Sequence, residues 1–257
     1  MSEPNPNNVP LHSPLFPSDL MYGSDDAESV SVLVEVEEDA VRNLLRPTPF
    51  EFVSAHAWVE VMALRTAWGV EPFAGGGVLV PARYKGTLGA YYALCYVDSD
   101  ESLALGREPF GYPKKYARSS IQRTGRAATA AIVRRDARVE ISVITDDRAR
   151  AAPPVPRYPH LLLQVLPSAE TPDVLLKRVI ARDTAAASRM SVVAGEAAVA
   201  VEDGTPANEL GWLADGVAVY GAYAAGAFHG AYGKVLGVEE VGRELIEQRY
   251  PSRSAAE

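Results

Sequence analysis

Apolar and polar residues alternate along most of this chain with the period of two that is typical of β-strands. In residues 29–37, valines occupy the even positions, and Ser or Glu stands mostly between them. Because successive side chains of a strand point to opposite faces, this pattern predicts a half-buried strand. Comparable runs, many rich in β-branched and aromatic residues, predict further strands. They are residues 57–64, 78–84, 88–97, 127–134, 138–144, 160–167, 174–181, 194–201 and 220–229. The small residues of 220–229 indicate either a tightly packed strand or a wall of a pocket.

Few helices are predicted between these strands. Residues 38–45 can form a short helix, and residues 237–249 have apolar positions at helical spacing. Five prolines before position 18 interrupt regular structure, so residues 1–28 are predicted to be an extended N-terminal arm. Residues 29–250 then form one domain, and residues 251–257 a frayed tail. Many strands with short turns favour an α+β, mainly β fold, with a closed or nearly closed sheet and peripheral helices.

Composition excludes several classes of function. The chain has 257 residues, of which 47% are hydrophobic, and a net charge of -8, whereas a nucleic-acid binder normally has a basic face. No apolar run approaches the roughly 20 residues of a membrane helix, and the N-terminus lacks a signal-peptide pattern. Cys95 is the only cysteine, and no pair among the four histidines has zinc-ligand spacing. We therefore expect no metal site, no membrane or nucleic-acid partner, and a cytoplasmic location.

The candidate chemistry lies in residues 106–116, which read GREPFGYPKKY. On an extended strand only one of two consecutive lysines can enter a pocket, and the other stays close as a positive charge. Burial and a like charge both favour the neutral amine, which attacks carbonyl compounds to form a Schiff base. The alternative is a solvated surface pair, because lysine is rarely buried.

The sequence GREPFGYPKK resembles the signature of the acetoacetate decarboxylase family. The resemblance implies that Lys114 is the catalytic Schiff-base nucleophile and that Lys115 lowers its pKa. Within or near the motif, Tyr112 and Arg107 become candidate substrate-binding residues, although the charge of Arg107 can instead brace the strand. The family fold implied is a cone-shaped closed β-barrel, and the family forms multimers, so a homo-oligomer is expected. No cofactor is implied.

Two glutamates and an arginine belong to the family's active site, and the resemblance can be followed to each position. Counting back from Pro81, which matches a family proline, places Glu60 at the first glutamate, as a candidate acid/base. The alternative for Glu60 is an outward-facing strand residue. The same count places Gly75 at the second glutamate, inside a triple glycine that makes a flexible turn or lets backbone approach a ligand. Ala27 stands where the decarboxylating members carry the arginine.

The resemblance implies a Schiff-base-forming lyase acting on a small oxo acid. Tyr232 lies where the family chain returns to the site and is a candidate proton shuttle, or else a core tyrosine. Because the arginine and second glutamate are missing, pyruvate-type aldol condensation with dehydration, or hydration with cyclisation, as in secondary metabolism, fits better than decarboxylation. The alternatives are an acetoacetate or other 3-oxo acid decarboxylase and, in another class, a non-catalytic ligand-binding protein that keeps the fold.

Overall fold

The computed structural model describes residues 8–146, 150–170, 174–202 and 209–239. These residues form a mainly β protein with short helices. In chain order the elements are β1 (Gly23–Glu35), α1 (Glu38–Leu45), β2 (Glu51–Phe52), β3 (His56–Leu64), β4 (Ala67–Trp68), β5 (Phe73–Tyr84), β6 (Thr87–Val97), α2 (Asp100–Leu105), a π-helical turn (Gly106–Phe110), β7 (Lys114–Tyr116), β8 (Arg118–Thr124), β9 (Ala127–Arg134), β10 (Ala137–Thr145), β11 (His160–Pro167), β12 (Val174–Arg182), β13 (Arg189–Glu202), a 3-10 turn (Gly211–Leu213), β14 (Val217–His229) and β15 (Lys234–Val238).

All the strands belong to one large mixed sheet. Its main path runs β15-β12-β11-β6-β5-β3-β1-β14-β13-β10-β9-β8, and β2, β4 and β7 pair at its sides. Most neighbours are antiparallel, but β7 and β11 run parallel to β6. Among the described residues, β8 and β15 end the path without pairing to each other. The predicted closed barrel is therefore not confirmed, because closure requires hydrogen bonds between the terminal strands.

The first strand differs from its prediction in two ways. β1 begins at Gly23, before the predicted arm ends, because pairing with β14 and β4 extends it through a polar stretch. Val30, Val32 and Val34 enter one apolar cluster, as the alternation predicts. The opposite face is also buried, however, and Ser31 has only 2% of its surface exposed. The predicted half-buried strand is thus covered on both sides, and its second face turns toward the site described below.

Two other expectations are wrong in the described residues. The triple glycine is not a turn but part of β5, where a Cβ on Gly76 would lie 2.1 Å from the carbonyl oxygen of Glu60. The close approach seen there is to the backbone of the neighbouring strand β3, whereas the approach to a ligand stays a prediction. Gly237 and Val238 belong to β15 and not to a helix, and the remainder of the predicted helix, residues 240–249, lies outside the described residues. The predicted helix at Glu38–Leu45 is confirmed.

Two apolar clusters form the core, one on each face of the central strands. The second cluster includes Leu33, Trp58, Leu79 and Tyr92, and it borders the cavity next to β7. In the described part of the chain, none of the helices combines the length and apolar character needed to cross a membrane.

Candidate active site

A cavity of about 260 Å³ lies beside β7, and four of the predicted site residues line it. These four residues are Lys114, Glu60, Tyr112 and Gly75. The wall also contains polar side chains that the sequence analysis does not place in the site, among them Tyr22, Tyr92, Arg157, His160 and Arg182. The cavity is therefore lined both by the lysine motif of residues 106–116 and by residues far from it in sequence, from Tyr22 to Phe228.

The lysine motif folds into an unusual helix ending followed by a very short strand. Ser99 caps α2 by accepting a hydrogen bond from the backbone N–H of Ser102 at 3.2 Å. α2 continues into the π-helical turn, which ends at Gly111 with a φ of 78°. Such π-helical turns are rare and frequently occur at functional sites. β7 then pairs with β6 and turns Lys114 toward the cavity while Lys115 points away from it.

The amine of Lys114 is held by one residue of α2. Its Nζ donates to the carbonyl oxygen of Ser102 at 2.8 Å and to the Ser102 hydroxyl oxygen at 2.7 Å. The ring of Phe73 lies with its centroid 5.4 Å from Nζ. Gly106 provides the space for the lysine, because a Cβ at that position would lie 2.5 Å from Cδ of Lys114. The first glycine of the motif thus has a steric role toward the lysine.

The burial of Lys114 favours its neutral form. Among the described residues, no ion pair includes Lys114. Burial lowers the pKa of Lys114 and outweighs the opposite effects of Cys95 and Tyr22, and the charge of Arg182 adds a smaller contribution in the same direction as burial. Lys115 pairs instead with Glu209, and 42% of its side chain is exposed. The tuning role of Lys115 stays a prediction, whereas Arg182 is a cation that the sequence analysis does not identify.

Glu60 is a buried carboxylate held between two partners. Its Oε2 accepts a hydrogen bond from Nε of Arg157 at 2.8 Å, and Nη2 of Arg157 donates to the same oxygen. Its Oε1 accepts from the hydroxyl of Tyr92 at 3.0 Å. Burial alone would raise the pKa of Glu60, but the charge of Arg157, the nearby His160 and the hydrogen bonds from Arg157 and Tyr92 together outweigh burial and lower it. Glu60 therefore faces the cavity as an ionised group, able to accept a proton and not to donate one.

Tyr112 connects two other buried residues of the wall. Its hydroxyl lies 2.9 Å from Nδ1 of His160, and Nη1 of Arg182 donates to it at 3.5 Å. Burial lowers the pKa of His160 to about 4, so the imidazole is neutral near pH 7. Arg182 is only 2% exposed, and its guanidinium lies 3.9 Å from the ring centroid of Phe110.

The remaining predicted site residues lie elsewhere. Arg107 donates to the carbonyl oxygen of Lys114 at 3.1 Å and does not line the cavity, which matches a bracing contact. Tyr232 is 61% exposed, and its hydroxyl donates to the carbonyl oxygen of Asp19 at 2.8 Å. Gly75 lines the cavity without a side chain, so no carboxylate occupies that position. A Cβ on Gly75 would lie 2.7 Å from the carbonyl oxygen of Tyr96, too close for a larger residue.

Sequence reasoning misses the two arginines and the histidine for identifiable reasons. Arg157 ends an Ala-, Pro- and Arg-rich stretch that is typical of a loop, yet it reaches Glu60 across the cavity. Arg182 is the last residue of the apolar run of β12, and His160 is the first residue of β11. The sequence feature that could have identified Arg182 and His160 is a charged or polar residue at the end of a buried strand. The partners of these residues come from elements distant in sequence, and periodicity does not identify them.

The protein has a mainly β fold, and its cavity contains a lysine that forms no ion pair among the described residues. Comparison with known proteins identifies its family. A family model described as acetoacetate decarboxylase (ADC) matches residues 8–236. The chain belongs to the acetoacetate decarboxylase family, and the prediction made from the lysine motif is confirmed.

Curated relatives match a shorter region. The acetoacetate decarboxylase of Clostridium beijerinckii is 32% identical over 107 residues, which are 42% of this chain and 43% of that protein. Acetoacetate decarboxylase 1 of Bradyrhizobium diazoefficiens is 30% identical over 115 residues, 45% of each chain. The matched region therefore spans less than half the length of these relatives.

Solved structures share the fold over most of the chain. A structure of acetoacetate decarboxylase has a TM-score of 0.77 and 20% identity, covering 90% of this chain and 95% of that one. The enduracididine biosynthesis enzyme MppR, complexed with pyruvate, has a TM-score of 0.74 and 19% identity, covering 92% and 99%. An acetoacetate decarboxylase-like enzyme from Sphingomonas wittichii RW1 has a TM-score of 0.74 and 16% identity, covering 88% and 96%. At these identities the likeness shows the fold alone.

Proposed function

We propose that this protein is a Schiff-base-forming lyase of the acetoacetate decarboxylase superfamily that acts on a small oxo acid. The observation that carries the proposal is the state of Lys114. Its amine lies in the cavity, is hydrogen-bonded to Ser102, forms no ion pair with a described carboxylate, and has a lowered pKa. A neutral amine in a partly apolar cavity is an activated nucleophile, and acetoacetate decarboxylase is a standard example of a lysine activated by its surroundings.

The reaction begins when Nζ of Lys114 adds to the carbonyl carbon of the oxo acid. The carbinolamine that forms loses its hydroxyl group as water after taking up one proton, and a protonated imine remains. This imine draws the electron pair of a neighbouring C–H or C–C bond toward nitrogen. Loss of an α-proton to a base gives an enamine, which attacks an aldehyde; loss of CO2 from a 3-oxo acid gives the same kind of enamine.

Condensation or hydration of a 2-oxo acid is the reaction we favour over decarboxylation. Gly75 provides no second carboxylate, and Ala27 is fully buried and uncharged. The solved relative MppR is known in complex with pyruvate and with the condensation product of pyruvate and imidazole 4-carboxaldehyde. Acetoacetate decarboxylation is the second candidate, because the curated relatives carry that name.

A proton must reach the carbinolamine, and Tyr22 of the cavity wall is the donor that we propose. Burial alone would raise the pKa of Tyr22, but the charge of Arg182 and the hydrogen bond that it donates act against burial, and the pKa is lowered. Nη1 of Arg182 donates to the Tyr22 oxygen at 3.2 Å, which leaves the phenolic hydrogen available. Tyr22 therefore takes the shuttle role that the sequence analysis considers for Tyr232. Glu60, which is ionised, serves as the base that removes the α-proton.

Reduction of the imine with borohydride tests the proposed function. The protein is incubated separately with pyruvate, acetoacetate and an aldehyde, reduced, digested and analysed by mass spectrometry. We expect an adduct on Lys114 with pyruvate that is absent from the Lys114→Ala variant. Carbon dioxide release from acetoacetate that requires Lys114 would instead support the decarboxylase. The absence of an adduct with every carbonyl compound would support the non-catalytic ligand-binding class.

The role of Tyr22 gives a separate prediction. Tyr22→Phe should slow the formation of the trapped adduct about 100-fold, since general acid catalysis contributes about that factor or more. The packing of the ring is kept, so the variant should fold. Tyr232→Phe is the matched comparison, and we expect its rate to equal that of the unmodified protein. Equal rates for Tyr22→Phe and the unmodified protein, with a slow Tyr232→Phe, would return the shuttle role to Tyr232.

A further inference from the structure

Arg182 is a buried cation without a counter-ion in the described part of the chain. It is 2% exposed, and it takes part in none of the ion pairs found there. Arg157, the other arginine of the cavity wall, is neutralised by Glu60. Buried charges are ordinarily paired, because an unpaired charge in a low-dielectric interior is strongly unfavourable. A cation of this kind in a cavity wall is suited to an anionic ligand.

The hydrogen bonds of Arg182 leave one nitrogen of the guanidinium without a partner among the described residues. Nε donates to the carbonyl oxygen of Ala231 at 2.6 Å, and Nη1 donates to the hydroxyls of Tyr22 and Tyr112. Nη2 is buried and has no hydrogen-bond partner among the described residues. A buried donor left unsatisfied is unfavourable, and more so when it is charged, so a ligand oxygen at Nη2 would remove a real penalty.

His160 offers a second unsatisfied nitrogen in the same wall. Its Nε2 is buried without a hydrogen-bond partner in the described residues, while Nδ1 contacts the Tyr112 hydroxyl. Because Arg182 donates to the Tyr112 oxygen, the Tyr112 hydrogen is directed to Nδ1 of His160. The neutral imidazole then carries its proton on Nε2. Nε2 of His160 is therefore a hydrogen-bond donor, like Nη2 of Arg182.

We propose that Arg182, assisted by Nε2 of His160, binds the carboxylate of the substrate and replaces the arginine that is missing at position 27. A guanidinium and a carboxylate form charge-assisted hydrogen bonds about twice as strong as neutral ones. Arg182 lines the same cavity as Lys114, so a small oxo acid can present its carboxylate to one residue and its carbonyl to the other. This inference rests on the proposed function for the carbonyl chemistry, but the anion site can be tested without it.

The first test compares an acid with its neutral ester. Pyruvate and methyl pyruvate are trapped on Lys114 with borohydride, and the ratio of their trapping efficiencies is measured for each variant. Arg182→Gln should lower the ratio of pyruvate to methyl pyruvate at least about 30-fold, the loss expected when one partner of a buried charged pair is removed. Arg178→Gln, four residues earlier on β12 and outside the cavity wall, is the matched control and should leave the ratio unchanged. An unchanged ratio in Arg182→Gln would overturn the proposal.

The ratio also separates two effects of Arg182. Removing its charge raises the pKa of Lys114 and slows imine formation with both compounds equally, so this effect cancels in the ratio. Arg182→Lys keeps the charge but not the planar pair of donors, and it should restore the ratio only in part. If Arg182→Gln does not fold, Arg182→Lys and His160→Gln provide the same comparison, and an unchanged ratio in both would overturn the proposal.

A binding measurement distinguishes failure of this inference from failure of the proposed function. In the Lys114→Ala background no imine can form, and calorimetry reports the affinity for pyruvate alone. We expect Arg182→Gln in that background to weaken pyruvate binding at least about 30-fold. If the unmodified protein traps no carbonyl compound but this loss is seen, the anion site stands and the Schiff-base function fails. Equal affinities with and without Arg182 would overturn the anion site alone.

Discussion

Gly106→Ala should slow imine formation at Lys114 about 100-fold or more while leaving the fold intact. An added Cβ would lie 2.5 Å from Cδ, 2.6 Å from Cε and 2.9 Å from Nζ of Lys114, all nearer than non-bonded atoms allow. The atoms that must move belong to the flexible end of a side chain, so the lysine and not the backbone gives way. Gly106 has a φ of -72°, which alanine adopts without strain. The expected result is a loss of the hydrogen bonds from Nζ to Ser102 and a misplaced amine.

The size of this effect follows from the positional demands of nucleophilic attack. Displacement of a reacting group by about 1 Å can cost about 100-fold in rate, and we expect a loss of that order or larger in the trapping rate. Circular dichroism and the urea midpoint should remain close to those of the unmodified protein. Gly125→Ala is the control for activity, because a Cβ there meets nothing within 4 Å and the turn lies between β8 and β9. Its φ of 59° disfavours alanine, so the urea midpoint of this control should fall while its trapping rate stays unchanged. Full activity in Gly106→Ala would show that Lys114 can react from another position.

Local patterns predict much of this fold because the strands are long and their composition is consistent. The helix Glu38–Leu45 and the strand His160–Pro167 begin and end where the sequence predicts them. The hairpin that joins β9 to β10 turns at Arg135, which has a φ of 55°. Closure of the sheet is not predictable in this way, since it depends on which terminal strands pair and not on the character of either strand. The early start of β1 has the same origin, because its first residues are held by partners far away in sequence.

Some residues of the candidate site can likewise be predicted from the sequence, and others cannot. Lys114 and Glu60 are identifiable because each lies in a run whose residues resemble a known family over several positions, and both line the cavity. Arg157, His160 and Arg182 carry no local motif, and their significance comes from burial and from contacts across the sheet. Tyr232 is a candidate only by its place along the chain, and its exposure removes it from the cavity. Burial and charge compensation depend on how the strands assemble into the sheet. The pattern of residues along the sequence therefore predicts them only indirectly.

The ion pair between Glu60 and Arg157 gives the prediction with the largest expected effect on stability. Glu60 is 8% exposed, and Arg157 donates to it through Nε and Nη2 while its Nη1 donates to Ser31 at 3.1 Å. Glu60→Gln keeps the shape of the side chain but removes its charge, so Arg157, with 22% of its side chain exposed, is left without its counter-ion. Breaking a buried pair typically costs about 3–5 kcal/mol in the free energy of unfolding, and because Arg157 is partly exposed we expect a loss near the lower end of that range. Urea denaturation at pH 7 measures the loss.

Two comparisons make that prediction specific to the buried pair. Glu38→Gln removes the exposed ion pair with Arg42, in which the side chains are 55% and 49% exposed, and should cost less than about 1 kcal/mol. The double variant Glu60→Gln with Arg157→Gln removes both charges and should recover part of the lost stability, which a double-mutant cycle reports as a coupling energy. A cost for Glu60→Gln as small as that for Glu38→Gln would contradict a charged, buried pair.

The pH dependence of stability provides the second signature of the same pair. Because the pKa of Glu60 is lowered in the folded protein, the unfolded chain takes up a proton at higher pH than the folded one. The contribution of Glu60 to stability is therefore fully present above the unfolded pKa of about 4.3 and is lost as the pH falls through the lower folded value. The difference in unfolding free energy between the unmodified protein and Glu60→Gln should be constant from about pH 6 to pH 7 and shrink below about pH 4. A difference that grows as the pH falls would mean that Glu60 is protonated in the folded protein, and it would then serve as the acid of the site and not as its base.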